Sequence, residues 1–432
     1  MAGGAEWFAQ VADVPERRWS RRADVPVDQG RQYRQFREIV EGGESFVLLG
    51  EGPGPALIAS GHVSSRDTAL FSDPWKQFCD RQFLRLDDLG EGAAAGQGAP
   101  RSEIVARHDS LLGRLAGTGA STTPVDAGLL HDRLGGCLVV RGFDSSELCV
   151  SGDGMVASGA AVRLLTALRS GAARRGLAVA FPFADRGDTE LVDALHRTGF
   201  VCGAVTATAI FDLPACSSLD DLLLRVPSRV RRRFRKEWAE FTAAGYTLHE
   251  LSLAENLPEI VGLETRNRVK HGGSANTRRL TDLRLAMVRL LGDNLRVQGA
   301  RDAPGNLVAC GIDLVDDERY LGLLYGQDDD SVTEVVYPVV SYSGPLSYAL
   351  KNGIRSMRAG FEAFVPKAIR GARAEKRMFA FWHPDHDIRV AAGQLLALFD
   401  ERLETSVLST MRTLDSAGDH WSLTEAESRQ FG

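Results

Sequence analysis

The chain has 432 residues and a formal net charge of -6, with 44% apolar and 25% charged residues. That length exceeds one ordinary hydrophobic core and the mixture is globular, so two packed domains are expected. The negative balance argues against a whole-surface nucleic-acid binder and against DNA as a partner, and no run of about 18 uncharged apolar residues is present to span a membrane. The N-terminal segment lacks an apolar h-region, so a cytoplasmic protein is expected. The cysteines (Cys79, Cys137, Cys149, Cys202, Cys216, Cys310) form no CxxC pair. They read as buried thiols in a reducing compartment, and no metal site is expected from them.

The first 40 or so residues are polar and Arg-rich and read as a loose arm or a surface helix. Phe46 to Leu49 is predicted as the first strand, paired through a turn at 50–55 with Ala56 to Ala59. Gly90 to Pro100 is a flexible loop by composition. A helix is expected from Ser102 to Gly117 and a buried strand from Cys137 to Arg141. Apolar spacing at Val162, Leu165, Leu168 and Ala172 predicts a helix over 160–176, closed by Gly176. A strand (Leu177 to Phe183), a short helix (Thr189 to Arg197) and a closing strand (Val205 to Leu213) follow. Leu219 to Gly245 joins the halves, and Pro227 divides it into a short helix and a longer basic one. Leu307 to Leu314 and Arg319 to Tyr325 read as antiparallel strands. Pro345 to Asn352 reads as a helix ended by Gly353, with a strand at Ile354 to Arg358.

Residues 160–213 resemble the second half of a GNAT (N-acetyltransferase superfamily) domain, in which a later helix ends in Gly-Phe before the last strand; here that is Gly199-Phe200. The C-terminal half is more specific. Its SRVRRRFRKEWAEFTAAGYTLHEL (228–251), LETRNRVKHGG (263–273) and YPVVSYSGPLSYALKNGIRSMRAGFEAFVPKAIRGA (337–372) resemble the second lobe of Fem-type aminoacyltransferases. The resemblance implies an α/β fold of two GNAT-like lobes, 1–215 and 216–432. Each would be a mixed, mostly antiparallel sheet flanked by helices. It also implies an acyltransferase.

Acyl-coenzyme A enzymes of this superfamily carry a Q/R-x-x-G-x-G/A turn, whose backbone N–H groups hold the pyrophosphate at a helix N-terminus. The first lobe has SGDGMVASGA (151–160) at that place, with Asp153 to repel phosphate. The second has YPVVSYSGP, with Pro338 and Pro345 removing donors. Fem-type enzymes lack the turn because their donor is aminoacyl-tRNA. The reading is therefore an aminoacyl-tRNA-dependent transferase that forms an amide on a small amine and uses no separate cofactor. An acyl-coenzyme A N-acyltransferase and a catalytically silent binding protein are the alternatives.

By the same resemblance Lys367 matches a lysine near the transfer site, in a loop after a strand. Glu362 is a candidate to accept the amine proton or orient Lys367, and Tyr342 to donate its phenol. The ordinary alternatives are a solvated lysine, a surface carboxylate paired with Arg358 or Arg370, and a core tyrosine. Arg229, Arg232, Arg233 and Lys236 share a helix face by their spacing and suit the phosphates of an RNA acceptor stem or of a nucleotide-linked acceptor; the alternative is a solvated helix face linking the domains, but like charges so spaced repel and few acids interleave, which favours a polyanion. His271, Tyr325 and Arg370 complete the substrate-binding candidates. His383-Pro-Asp-His386 reads as a polar loop, because Pro384 breaks helical ligand spacing.

Overall fold

The computed structural model describes residues 5–16, 19, 30–50, 56–85, 101–118, 124–140, 149–151, 159–270, 276–328, 333–361 and 363–409. In chain order the first elements are β1 (Ala5–Phe8), α1 (Arg31–Glu41), β2 (Ser45–Gly50), β3 (Ala56–Val63), α2 (Pro74–Cys79), α3 (Arg101–Leu115) and α4 (Ala127–Leu134). There follow β4 (Cys137–Val140), β5 (Cys149–Ser151), α5 (Ala160–Arg174), β6 (Ala178–Asp185), α6 (Thr189–Arg197) and β7 (Val201–Asp212). Next come α7 (Leu219–Arg225), α8 (Ser228–Ala243), β8 (Thr247–Leu251), α9 (Leu257–Lys270), α10 (Thr277–Leu291), β9 (Leu295–Arg301), β10 (Leu307–Val315) and β11 (Arg319–Gln327). The last elements of the described residues are α11 (Thr333–Pro338), α12 (Gly344–Lys351), β12 (Ser356–Arg358), α13 (Phe364–Ala368), β13 (Arg373–Trp382) and α14 (His386–Leu403).

These elements form two compact units. The described part of the first holds residues up to Ala207 together with Glu375–Ser409; that of the second holds Thr208–Ala374. The expected lobes, 1–215 and 216–432, differ from this division at residues 208–215 and at the C-terminal end. The alternation in RMFAFW buries Phe379 and Phe381 beside Phe78, and this local pattern says nothing about which sheet the strand joins. Only tertiary pairing of β13 with β6 assigns it to the first unit.

In the first unit β1, β2, β3 and β4 pair in that order, antiparallel, with β5 also on β3. Strand β4 runs parallel to β6, which pairs with β13. The predicted 46–49/56–59 hairpin is present, with Leu49 opposite Ile58. It is not the start of the sheet, because Ala5–Phe8 already pairs with β2. Helix α5 buries Ala161, Leu164, Leu165, Leu168 and Ala172 against Leu48, Val140, Val179 and Phe181. Each fully buried Leu or Phe contributes roughly 1.5–3 kcal/mol. Gly171 lets this helix approach β1: a Cβ there would lie 2.2 Å from the Trp7 ring.

In the second unit the order is β7, β12, β11, β10, β9, β8, with only β11 and β12 parallel. Helix α9 lies so close over β11 that a Cβ on Gly326 would be 2.9 Å from the Glu264 nitrogen. Glu264 and Arg284, both buried, brace α9 to α10 through contacts of 2.7 and 2.9 Å. The cysteines are only partly as expected: Cys137 and Cys310 are buried, whereas Cys79, Cys202 and Cys216 are half-buried.

Candidate active site

Strand β12 pairs with β11 only over Ser356–Arg358 against Arg319–Leu321. It stays with β7 longer, since Ala359 and Gly360 still exchange hydrogen bonds with Ala209. Strand β11 runs on to Gln327, with its extra residue accommodated by a register shift opposite Ile312/Asp313. A notch therefore opens between β11 and β7 beyond Leu321. Residues 322–325 along it are half-buried, and among the described residues no strand pairs with them on that side.

A chain of aromatic rings crosses this notch. Tyr342 lies 6.1 Å from Phe211 of β7 and 5.6 Å from Tyr337; Tyr337 stands edge-on to Tyr325 of β11 at 4.9 Å. The Tyr337 and Tyr342 hydroxyls are 3.1 Å apart, and the Tyr325 hydroxyl donates to Gln327 Oε1 at 3.0 Å. Burial, then the neighbouring Tyr337, pushes the Tyr342 phenol well above its usual range; Tyr325 is raised for the same reasons. Both are therefore neutral hydrogen-bond donors at ordinary pH.

The sequence places these rings through two prolines. Pro338 ends α11 and Val339–Ser343 continues as a π-turn, the usual response to an interrupted helical ladder. Gly344 N–H bonds the Val339 carbonyl, and Pro345 has no N–H to give Val340. The Val340 carbonyl is satisfied instead by the buried Gln298 amide at 2.6 Å. A Cβ on Gly344 would lie 2.3 Å from Gln298 Oε1, so glycine is required for this seating.

Arg370 is buried with its guanidinium 4.8 Å from the Tyr342 ring centre. It grips Glu237 of α8 with two bonds, 2.6 Å from Nη2 and 3.2 Å from Nε, and also donates to the Pro366 carbonyl. Two of the predicted residues, Tyr342 and Arg370, thus meet, and Tyr325 joins them through Tyr337. Sequence reasoning missed Glu237 and Tyr337. Glu237 had a readable signal: it falls with Val230, Phe234 and Phe241 on the buried stripe of α8, where an unpaired carboxylate is costly.

Lys367 lies in the short helix α13, not in a loop, and is buried. Its Nζ donates to the carbonyls of Phe361 at 2.9 Å and Gly360 at 3.2 Å. It ties down the turn whose Gly360 carbonyl also meets Ala209, on the β7 side of the notch. Ala363 holds a left-handed φ of 44° there, a strained conformation that such ties maintain. Glu362 and His271 lie outside the described residues.

On α8, Arg229, Arg232 and Lys236 are exposed and Arg233 is half-exposed, with Lys236 3.6 Å from Glu240. The outer face of the helix is thus cationic while its inner face carries Glu237 to Arg370. In the first unit most of the 151–160 glycine turn lies outside the described residues. Asp385 caps α14, and its own N–H bonds His383 Nδ1 at 3.0 Å, so the His-Pro-Asp-His segment is a helix cap. Among the described residues no group of three or more metal-ligating side chains occurs, and no helix is long and apolar enough to cross a membrane.

No protein-family model and no curated protein matches the chain. Among solved structures it is similar to FemX, at 9% identity, covering 83% of this chain and 93% of that one, with a TM-score of 0.48. It is also similar to the C-terminal domain (DUF2156) of a putative lysylphosphatidylglycerol synthetase from Agrobacterium fabrum. There the identity is 13%, the coverage 70% and 95%, and the TM-score 0.42. A GCN5-related N-acetyltransferase from Kribbella flavida is a further similar structure, at 11% identity, 58% and 82% coverage and a TM-score of 0.31.

Proposed function

We propose that the second unit is an acyltransferase that moves an aminoacyl group from aminoacyl-tRNA to the amine of a small molecule. The observation that carries this reading is the tyrosine chain across the open notch, joined through Arg370 and Glu237 to a helix whose outer face is cationic. Among the described residues no strand pairs with β11 on this side beyond Leu321, and although the Asn267 amide holds the Tyr325 carbonyl at 3.1 Å, the backbone before it offers groups along which an acyl chain can lie. The half-buried Tyr337 phenol, with Tyr342 behind it, stands where a neutral donor can stabilise the oxyanion of an ester under attack. Burial keeps the Tyr342 phenol protonated, so it can donate to the Tyr337 oxygen. The acceptor amine attacks the ester carbonyl, the ribose oxygen leaves, and the proton lost by the amine passes to the leaving oxygen or to solvent. Positioning supplies much of the rate, because an aminoacyl ester is already an activated acyl donor. Arg370 holds Tyr342, and Lys367 holds the opposite wall of the notch. The cationic row of α8 suits tRNA phosphates.

The test is a transfer assay with purified protein, labelled aminoacyl-tRNA and a panel of small amines, with labelled acetyl-coenzyme A in parallel. Ribonuclease-sensitive label in an amide product supports the reading. Label arriving only from acetyl-coenzyme A overturns it and directs attention to the 151–160 turn. No transfer from either donor, in a protein that still binds tRNA, favours a binding protein.

A further inference from the structure

Helix α8 presents more than a cationic row. Arg232 and Arg235 run down the middle of its outward face, Arg229 and Lys236 along one edge, and Arg231 and Trp238 along the other, by their three-, four- and seven-residue spacings. Trp238 is 43% exposed, which is unusual for the largest apolar side chain on an otherwise charged face. Its ring leans on Phe241 at 6.1 Å between centres, and Phe241 is buried, so the indole is steadied from beneath while its outer side faces solvent.

We propose that Trp238 is a stacking platform for one unpaired base of a single-stranded RNA end whose phosphates lie on Arg232 and Arg235. The proposal rests on the tRNA-dependent reading only for the identity of the RNA, the unpaired 3′ end of a tRNA. Three features select RNA over an anionic membrane surface. The apolar stripe of α8 (Val230, Phe234, Phe241) is buried in the unit and cannot enter a bilayer. Among the described residues Trp238 is the exposed large apolar side chain that α8 offers, one anchor where an interfacial helix needs a face. The charge is carried mostly by arginine, whose planar fork matches phosphate and stacks on bases. A single indole reads any base through its π-face, so the site is tolerant of sequence. On its inner face the same helix turn is anchored through Glu237 on Arg370, whose guanidinium lies against the Tyr342 ring.

The experiment measures binding of uncharged tRNA with an intact single-stranded 3′ end, of the same RNA trimmed to a blunt duplex end, and of vesicles of phosphatidylglycerol. Trp238→Ala is expected to weaken binding of intact tRNA about tenfold and to leave the blunt RNA unchanged, while Trp238→Phe retains most of the affinity. Arg235→Ala is expected to weaken both RNAs and to lower the slope of log affinity against log salt by about one. Equal loss for both RNAs in Trp238→Ala, no loss for either, or binding of vesicles but not RNA, overturns the proposal. Because uncharged tRNA is the probe, a protein that stacks RNA on Trp238 yet transfers nothing refutes the proposed reaction alone. Transfer with unaltered RNA binding in Trp238→Ala refutes this inference alone.

Discussion

Two buried arginines in the second unit meet carboxylates in different ways. Arg370 holds Glu237 directly, through two nitrogens on two oxygens. Arg296 is hydrogen-bonded to Asp313 through Tyr320: its Nη1 donates to the Tyr320 hydroxyl at 2.9 Å, and that hydroxyl donates to Asp313 Oδ2. The Arg296 guanidinium carbon also lies 4.1 Å from the centre of the Tyr348 ring. Burial dominates at Asp313 and pushes its carboxyl up to about 7, despite the opposing Tyr320 and Arg296. The direct pair gives Glu237 two charge-assisted hydrogen bonds, whereas the relay through a phenol leaves Asp313 to titrate near neutrality.

The largest expected effect breaks the direct pair. Arg370→Ala leaves Glu237 buried and unpaired and is expected to cost about 3–5 kcal/mol in urea unfolding. The double change Glu237→Leu, Arg370→Met should recover much of that loss. Equal losses in the single and double variants would show that packing, not charge, is what matters there.

The relayed network gives a pH signature. Asp313 is protonated to about pH 7 when folded and to about 4 when unfolded, so between those values the folded state binds more protons. Stability then falls as pH rises from about 4 to about 7 and levels off above. Asp313→Asn should flatten that slope in stability measured at several pH values, and an unchanged slope would remove Asp313 as its source. Tyr320→Phe cuts the relay and is expected to cost about 1–3 kcal/mol, because it strands a buried donor and a buried acceptor.

The smallest stability change is expected at Tyr342→Phe, which loses a single hydroxyl contact to Tyr337 and should stay within about 1 kcal/mol. Its transfer kcat is nevertheless expected to fall at least about tenfold, as for a group supporting an oxyanion donor. A variant that loses stability but keeps kcat would reduce Tyr342 to a core residue.

Much of the secondary structure was readable locally. The Leu165/Leu168 spacing gave α5, Gly199-Phe200 the turn after α6, and Pro227 the break between α7 and α8, since helical period and chain breakers act within a few residues. Strand β1 was hidden in a polar segment, because an edge strand of four residues carries too short an alternation to read. Lys367 drew attention as a charged residue in a recognisable block, yet its ammonium is spent on the backbone carbonyls of a turn that no spacing rule reveals.

The sequence by itself determined which residues are apolar, where helices start and stop, and that α8 is cationic on one side, because these depend on covalent geometry and period. Only the tertiary structure decided that β13 returns to the first unit, that β12 leaves β11 after three residues, and that Glu237 finds Arg370 from 133 residues away. Those choices depend on long-range pairing, where burial of one group is tolerable only if a distant partner arrives to satisfy it.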